Sequence, residues 1–159
     1  MELAAYPQAG GCVGSELASR PFPPPVEARV VFRAPPPVGS RGVLGVFWYE
    51  SDDREFDFEW SSWDRGAPYA QFVNAARRPR EIRRVLLAND EAFTVTLRWS
   101  RARVSGSIRS ASNHFEWSSP APPPRTGNIR LHLNAWCTRG ATPTNGFQAF
   151  VDAVQIRRL

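Results

Sequence analysis

The chain contains no lysine. All 20 basic residues are arginine, set against 15 acidic ones, so the formal charge is +5 and the isoelectric point about 10.2. A basic chain attracts anions without specificity. The arginines are scattered, and only Arg77, Arg78, Arg80, Arg83 and Arg84 cluster. The charge alone does not define a nucleic-acid surface, and no nucleic-acid partner is expected. Richness in arginine, alanine and proline together reads as the bias of a GC-rich genome.

Cysteine and histidine are almost as scarce. Cys12, Cys137, His114 and His132 are the only ones, and no CxxC spacing exists, so a zinc site of familiar pattern lacks ligands. The cysteines form either one disulfide or two buried thiols, and spacing leaves both open. No run of about 18 apolar residues exists, so no membrane span is expected. The opening "MELAAYPQAGG" has no basic segment leading into an apolar one and does not read as a signal peptide. Helix-period stretches are nearly missing too. The nearest, "AARRPREIRRVLLA" at 75–88, is interrupted by Pro79, which favours strand or loop there. No internal repeat is visible.

What remains is a chain of 159 residues, 42% hydrophobic and 12% aromatic, enough for one domain with a real core. Short alternating segments lie between Pro/Gly/Ser breaks: 26–34, 42–50, 54–60, 92–100, 103–109, 128–136 and 147–158. Strands of this length without intervening helices indicate an antiparallel all-β sandwich or barrel. Within them one face is apolar and the other polar with an occasional aromatic. Phe93, Val95, Leu97 and Trp99 oppose Thr94, Thr96 and Arg98; Ile129, Leu131, Leu133 and Ala135 oppose Arg130, His132, Asn134 and Trp136. A polar and aromatic sheet face suits sugars, which offer hydroxyls to hydrogen-bond and a C–H face to stack.

The stretch "REFDFEW" (54–60) sharpens this. On a strand, Glu55, Asp57 and Glu59 share one face, with Phe56, Phe58 and Trp60 behind. Like charges side by side are destabilising, and no lysine is available to neutralise them; Arg54 and Arg65 offset part of the charge. Three readings compete: a solvated strand face, a calcium site built from the same oxygens, and the carboxyl pair of a glycoside hydrolase. For the last, Glu55 and Glu59 start with Cα atoms about 13 Å apart on a straight strand. Leaning side chains and strand curvature must close that to the separation of about 5–5.5 Å that a retaining enzyme uses. Asp57, between them, is placed to hold a proton, orient Glu55 and raise the pKa of the acid.

The sequence resembles glycoside hydrolase family 16, of the concanavalin-A-like jelly-roll group. "EFDFEW" is similar to that family's E-x-D-x-E active-site strand in its regular, lichenase-like form. "GGCVGSELAS", "VEARVVF", "GVLGVFWYE", "AQFVN", "FTVTLRW", "LHLNAW" and "FVDAVQIRR" resemble further family strands, in order, from about residue 10 to the end. The resemblance implies an all-β antiparallel sandwich at 11–159 with residues 1–10 as an extension. It makes Glu55 the nucleophile, Asp57 its assistant and Glu59 the acid/base in a retaining double displacement on internal β-linked glucan, or related galactan, bonds. Asn134 and Trp136 fall in the cleft, with Gln71 beside the carboxyls. Trp48 is a further substrate-binding candidate from its strand alone, with core packing as the competing place. Phe56, Phe58, Trp60 and Trp99 are expected in the core, and Trp63 either lines the cleft or is merely exposed.

The resemblance also implies a monomer acting outside the cell, without a cofactor; structural calcium has no motif of its own here. Departures are visible. Phe93 and Val95 stand where the family has His and Tyr, and "RVSGSIRSA" replaces a Y-V-D-G turn. The chain opens where the family would already have earlier strands, so an incomplete sheet with an unpaired edge is expected. The competing function is a noncatalytic carbohydrate-binding sandwich or an inactive family member.

Overall fold

The computed structural model describes residues 1–8, 11–35, 41–61, 68–77, 80–85, 91–121, 123–138 and 146–159. Twelve strands run through them: β1 (Glu2–Gln8), β2 (Gly11–Ala18), β3 (Val26–Phe32), β4 (Gly42–Ser51), β5 (Arg54–Ser61), β6 (Tyr69–Asn74), β7 (Glu81–Val85), β8 (Phe93–Trp99), β9 (Arg103–Arg109), β10 (His114–Pro120), β11 (Arg130–Cys137) and β12 (Phe147–Arg158). Among the described residues there is no helix. The fold is the expected all-β antiparallel sandwich. The 75–88 stretch turns after Asn74 and then forms β7, strand and turn rather than helix; residues 78–79 and 86–88 lie outside the described residues.

Every pairing is antiparallel, in the order β10-β9-β8-β3-β12-β1-β2-β11-β4-β5-β6-β7. β1 is the corner of this order. Glu2–Ala5 pair with β12, and Ala5–Gln8 pair with β2. Residues 1–10, expected as an extension, are therefore corrected: Glu2–Gln8 sit inside the sheet and join its two halves. Leu3 and Ala5 are buried in the core; the ladder and these two apolar contacts hold a segment whose sequence looks loop-like.

The halves pack face to face through the apolar side of each strand. Leu44, Val46, Trp48, Phe56, Phe58, Trp60 and Phe72 meet Val30, Phe32, Phe93, Val95, Leu97, Trp99 and Ile108 in one cluster. Each large side chain buried this way contributes about 1.5–3 kcal/mol. Phe58 lies 6.1 Å from Phe93, and Phe72 lies against Phe115 and Trp117. Gly106 on β9 is required by this packing, because the Phe72 ring occupies the space a Cβ would need.

Trp48 settles its competing places. It is fully buried, and its Nε1 donates to Leu97 O at 3.1 Å across the sandwich. The expectation that Trp48 binds substrate is corrected: alternation along β4 turns it inward opposite Phe56, and its one polar atom finds a partner there. Phe56, Phe58, Trp60 and Trp99 are in the core as expected. Cys12 and Cys137 form a disulfide that ties β2 to β11.

Candidate active site

The site is built on the outer face of the β2-β11-β4-β5-β6-β7 half. Burial of Phe56, Phe58 and Trp60 fixes the rotation of β5, so Glu55, Asp57 and Glu59 all turn outward. Register then assembles rows across the sheet. One runs Glu16–Asn134–Gly45–Glu59–Gln71–Arg84, and the next Ala18–His132–Phe47–Asp57–Val73–Ile82. Tyr49 lies opposite Glu55.

Over β5–β7 this face opens into a cavity of about 420 Å³ lined by Glu55, Asp57, Glu59, Tyr69, Gln71, Val73, Arg80, Ile82 and Arg84. Four expected site residues, Glu55, Asp57, Glu59 and Gln71, come together here. Gln71 Nε2 donates to Glu59 Oε2 at 2.5 Å. Asn134 and half-buried Trp136 share the same sheet face on β11 but do not line this cavity. Trp48 is on the other face. Trp63 and Arg65 lie outside the described residues.

Electrostatics grade the carboxyls. Asp57 is only 5% exposed, and burial holds its pKa well above the ordinary carboxylate range. The adjoining Glu55 carboxyl and the Glu55 and Glu59 charges push the same way, with Arg80 opposing. Asp57 Oδ1 meets no donor. Two carboxyls hydrogen-bond only with a proton between them, so the protonated form of Asp57 fits the geometry. Glu59 is also raised, first by burial and then by the Glu55 charge, while the Gln71 hydrogen bond and Arg80 pull it down. Among the described residues no group of three or more His, Cys, Asp or Glu side chains is arranged to hold a metal ion.

Beside the carboxyls, the sheet face is aromatic. Phe47 stacks on His132 at 5.0 Å, and Tyr49 meets His132 edge-on at 5.3 Å. Glu16 holds this side in place, pairing with His132 Nδ1 at 2.9 Å and accepting from Asn134 Nδ2 at 3.5 Å. Gly45 leaves the space that Asn134 Oδ1 fills. Phe47, Tyr49, Glu16, Tyr69, Arg80 and Arg84 join the site without standing among the residues the sequence singles out for it. The signal for two of them was present: once Trp48 is inward, alternation in "GVLGVFWYE" must turn Phe47 and Tyr49 outward.

No protein-family profile matches the chain, and no curated protein matches it. Solved structures do. A β-1,3-glucanase from Mycobacterium marinum superposes with a TM-score of 0.70 at 13% identity, covering 98% of this chain and 73% of that one. The family 16 glycoside hydrolase of a Bacteroides ovatus mixed-linkage glucan locus, in complex with a G4G4G3G product, gives 0.67 at 12%, covering 98% and 80%. An immunostimulatory antigen and pseudo β-1,3-glucanase of Mycobacterium tuberculosis gives 0.71 at 12%, covering 99% and 74%. The chain therefore has the jelly-roll fold of family 16 glycoside hydrolases. Similarity at this identity establishes the fold; function has to be argued from the site.

Proposed function

We propose that the protein is a retaining glycoside hydrolase acting on internal bonds of a β-linked glucan. The observation that carries this reading is the row of three outward carboxyls on β5, flooring a cavity in which Glu59 is held partly toward its protonated form. Glu59 protonates the leaving glycosidic oxygen. Glu55 attacks the anomeric carbon and forms a glycosyl-enzyme ester as the C–O bond breaks. Glu59, now a carboxylate, removes a proton from water, which attacks the same carbon and releases Glu55. Asp57 keeps a proton toward Glu55 and orients it. Asn134 and Trp136 extend sugar contacts across the sheet face, and Gln71 sets the position of Glu59.

The disulfide supports an oxidising compartment, in line with action outside the cell. Glu59→Ala tests the roles: activity on natural glucan should be nearly lost, and activity on a substrate with an activated leaving group retained in part. Equal loss on both substrates contradicts the assignment.

The likeness to a pseudo-glucanase keeps a second reading in view, a sandwich that binds glucan without cleaving it. Turnover separates the two. If wild type binds β-glucan, releases no reducing sugar, and Glu55→Gln changes nothing, binding is the function.

A further inference from the structure

The cavity is chemically lopsided. Its carboxyls come from β5, and its far wall carries Arg80, just before β7, and Arg84 on β7, with Tyr69 and Ile82 among the lining. Arg84 stacks its guanidinium over the Tyr69 ring at 5.0 Å, which pre-orients the group and leaves its N–H fork unspent. Neither arginine has a carboxylate within ion-pair distance among the described residues. Arg80 lies near enough to Asp57 and Glu59 to pull on both, yet those two are held toward their neutral forms. Two guanidinium groups therefore line the cavity wall with no direct carboxylate partner among the described residues.

A neutral glucan offers such groups only hydroxyls. A planar or tetrahedral oxyanion offers the paired acceptors that a guanidinium fork matches. Charged residues on an edge strand also guard against pairing with another sheet. Arg83, outside the lining of this cavity, serves that purpose without facing the substrate.

We propose that the β7 wall binds an anionic group on the glycan, a sulfate ester or a uronate carboxylate, through Arg80 and Arg84. This rests on the carbohydrate reading above and adds the charge of the substrate to it. The test uses the Glu55→Gln protein, so that the glycan stays intact, and calorimetric titration with three oligosaccharides of one β-glucan backbone: neutral, oxidised to carry uronate, and sulfated. At least one anionic ligand should bind about tenfold more tightly than the neutral one, a preference that adding Arg80→Gln and Arg84→Gln together removes. The ligand preferred names the oxyanion.

Equal binding of all three ligands overturns the inference, as does a preference that survives both replacements. If the double replacement does not fold, Arg84→Gln alone must at least halve the preference, and an unchanged preference overturns the inference. Cleavage of neutral glucan by wild type without any anionic preference sinks this inference and leaves the hydrolase reading standing. An anionic preference without cleavage of any glycan does the reverse.

Discussion

Gln71 Nε2 reaches across the β5–β6 pair to donate to Glu59 Oε2 at 2.5 Å. The bond stabilises the carboxylate form of Glu59, against a burial effect that favours the acid. Replacing Gln71 with leucine removes the first influence and leaves the second, so the Glu59 pKa must rise. If Glu59 is the acid, the basic limb of the kcat/KM profile moves to higher pH. We expect that shift with a loss of about tenfold in activity at the optimum, since a hydrogen bond to a charged group is worth about 1.5–3 kcal/mol. An unmoved limb places the acid elsewhere.

Asp57 and Glu27 respond to pH with opposite signs. The folded-state pKa of Asp57 is raised, so its contribution is fully favourable below its unfolded value and is lost as pH rises through the folded one. Asp57→Asn should therefore raise the melting temperature at pH 7 by several degrees, with the gain shrinking in acid, while activity falls. Calorimetry at pH 4 and pH 7 checks this.

Glu27, only 5% exposed on β3, is the contrasting case. Burial pushes its pKa up, but hydrogen bonds from Arg157 and Arg98, with their charges, bring it below the ordinary value. Its contribution is present above its unfolded pKa and lost as pH falls. Both arginines are more than half exposed, so screening limits the effect to about 1 kcal/mol. Glu27→Gln should lower the melting temperature by about 2–4 °C at pH 7 and by less in acid.

Trp48→Phe separates core from cleft. It removes the indole N–H bond to Leu97 O and part of the inter-sheet contact. A cost of about 1–3 kcal/mol is expected in chemical denaturation, with KM for glucan unchanged. A raised KM at undiminished stability would put the side chain in the cleft.

Most of the fold can be read from alternation, and "REFDFEW" shows why. Phe56, Phe58 and Trp60 are so apolar, and Glu55, Asp57 and Glu59 so polar, that the strand has only one way to sit. Phe47 and Tyr49 were harder, because "GVLGVFWYE" is apolar on both faces and period two leaves no contrast. β1 is hard to read as a strand because "ELAAYPQ" carries Pro7. That proline lies opposite Cys12, past the stretch paired with β12, so its missing N–H interrupts no bond on that side. In the sequence Arg80 and Arg84 stand only as members of an arginine cluster; the register Glu59–Gln71–Arg84 brings Arg84 into the carboxyl row, and Arg80, just before β7, lines the same cavity.

The disulfide closes a loop between residues 125 apart in sequence. The denatured, unreduced protein should show no free thiol. Replacing both cysteines with serine should cost about 3–5 kcal/mol in denaturant titration. Two titratable thiols in the unreduced protein would contradict the bond.

In the proposed double displacement Glu55 attacks and Glu59 shuttles the proton. The direct measurement is azide rescue of Glu55→Ala and Glu59→Ala on an activated β-glucoside, with the anomeric configuration of the product read by NMR. In Glu55→Ala, azide should enter from the face the carboxylate vacated and give the α-glycosyl azide. In Glu59→Ala, azide should attack the glycosyl-enzyme and give the β-glycosyl azide. Exchanged configurations would reverse the two roles, and no rescue of either variant would contradict a double displacement through these carboxyls.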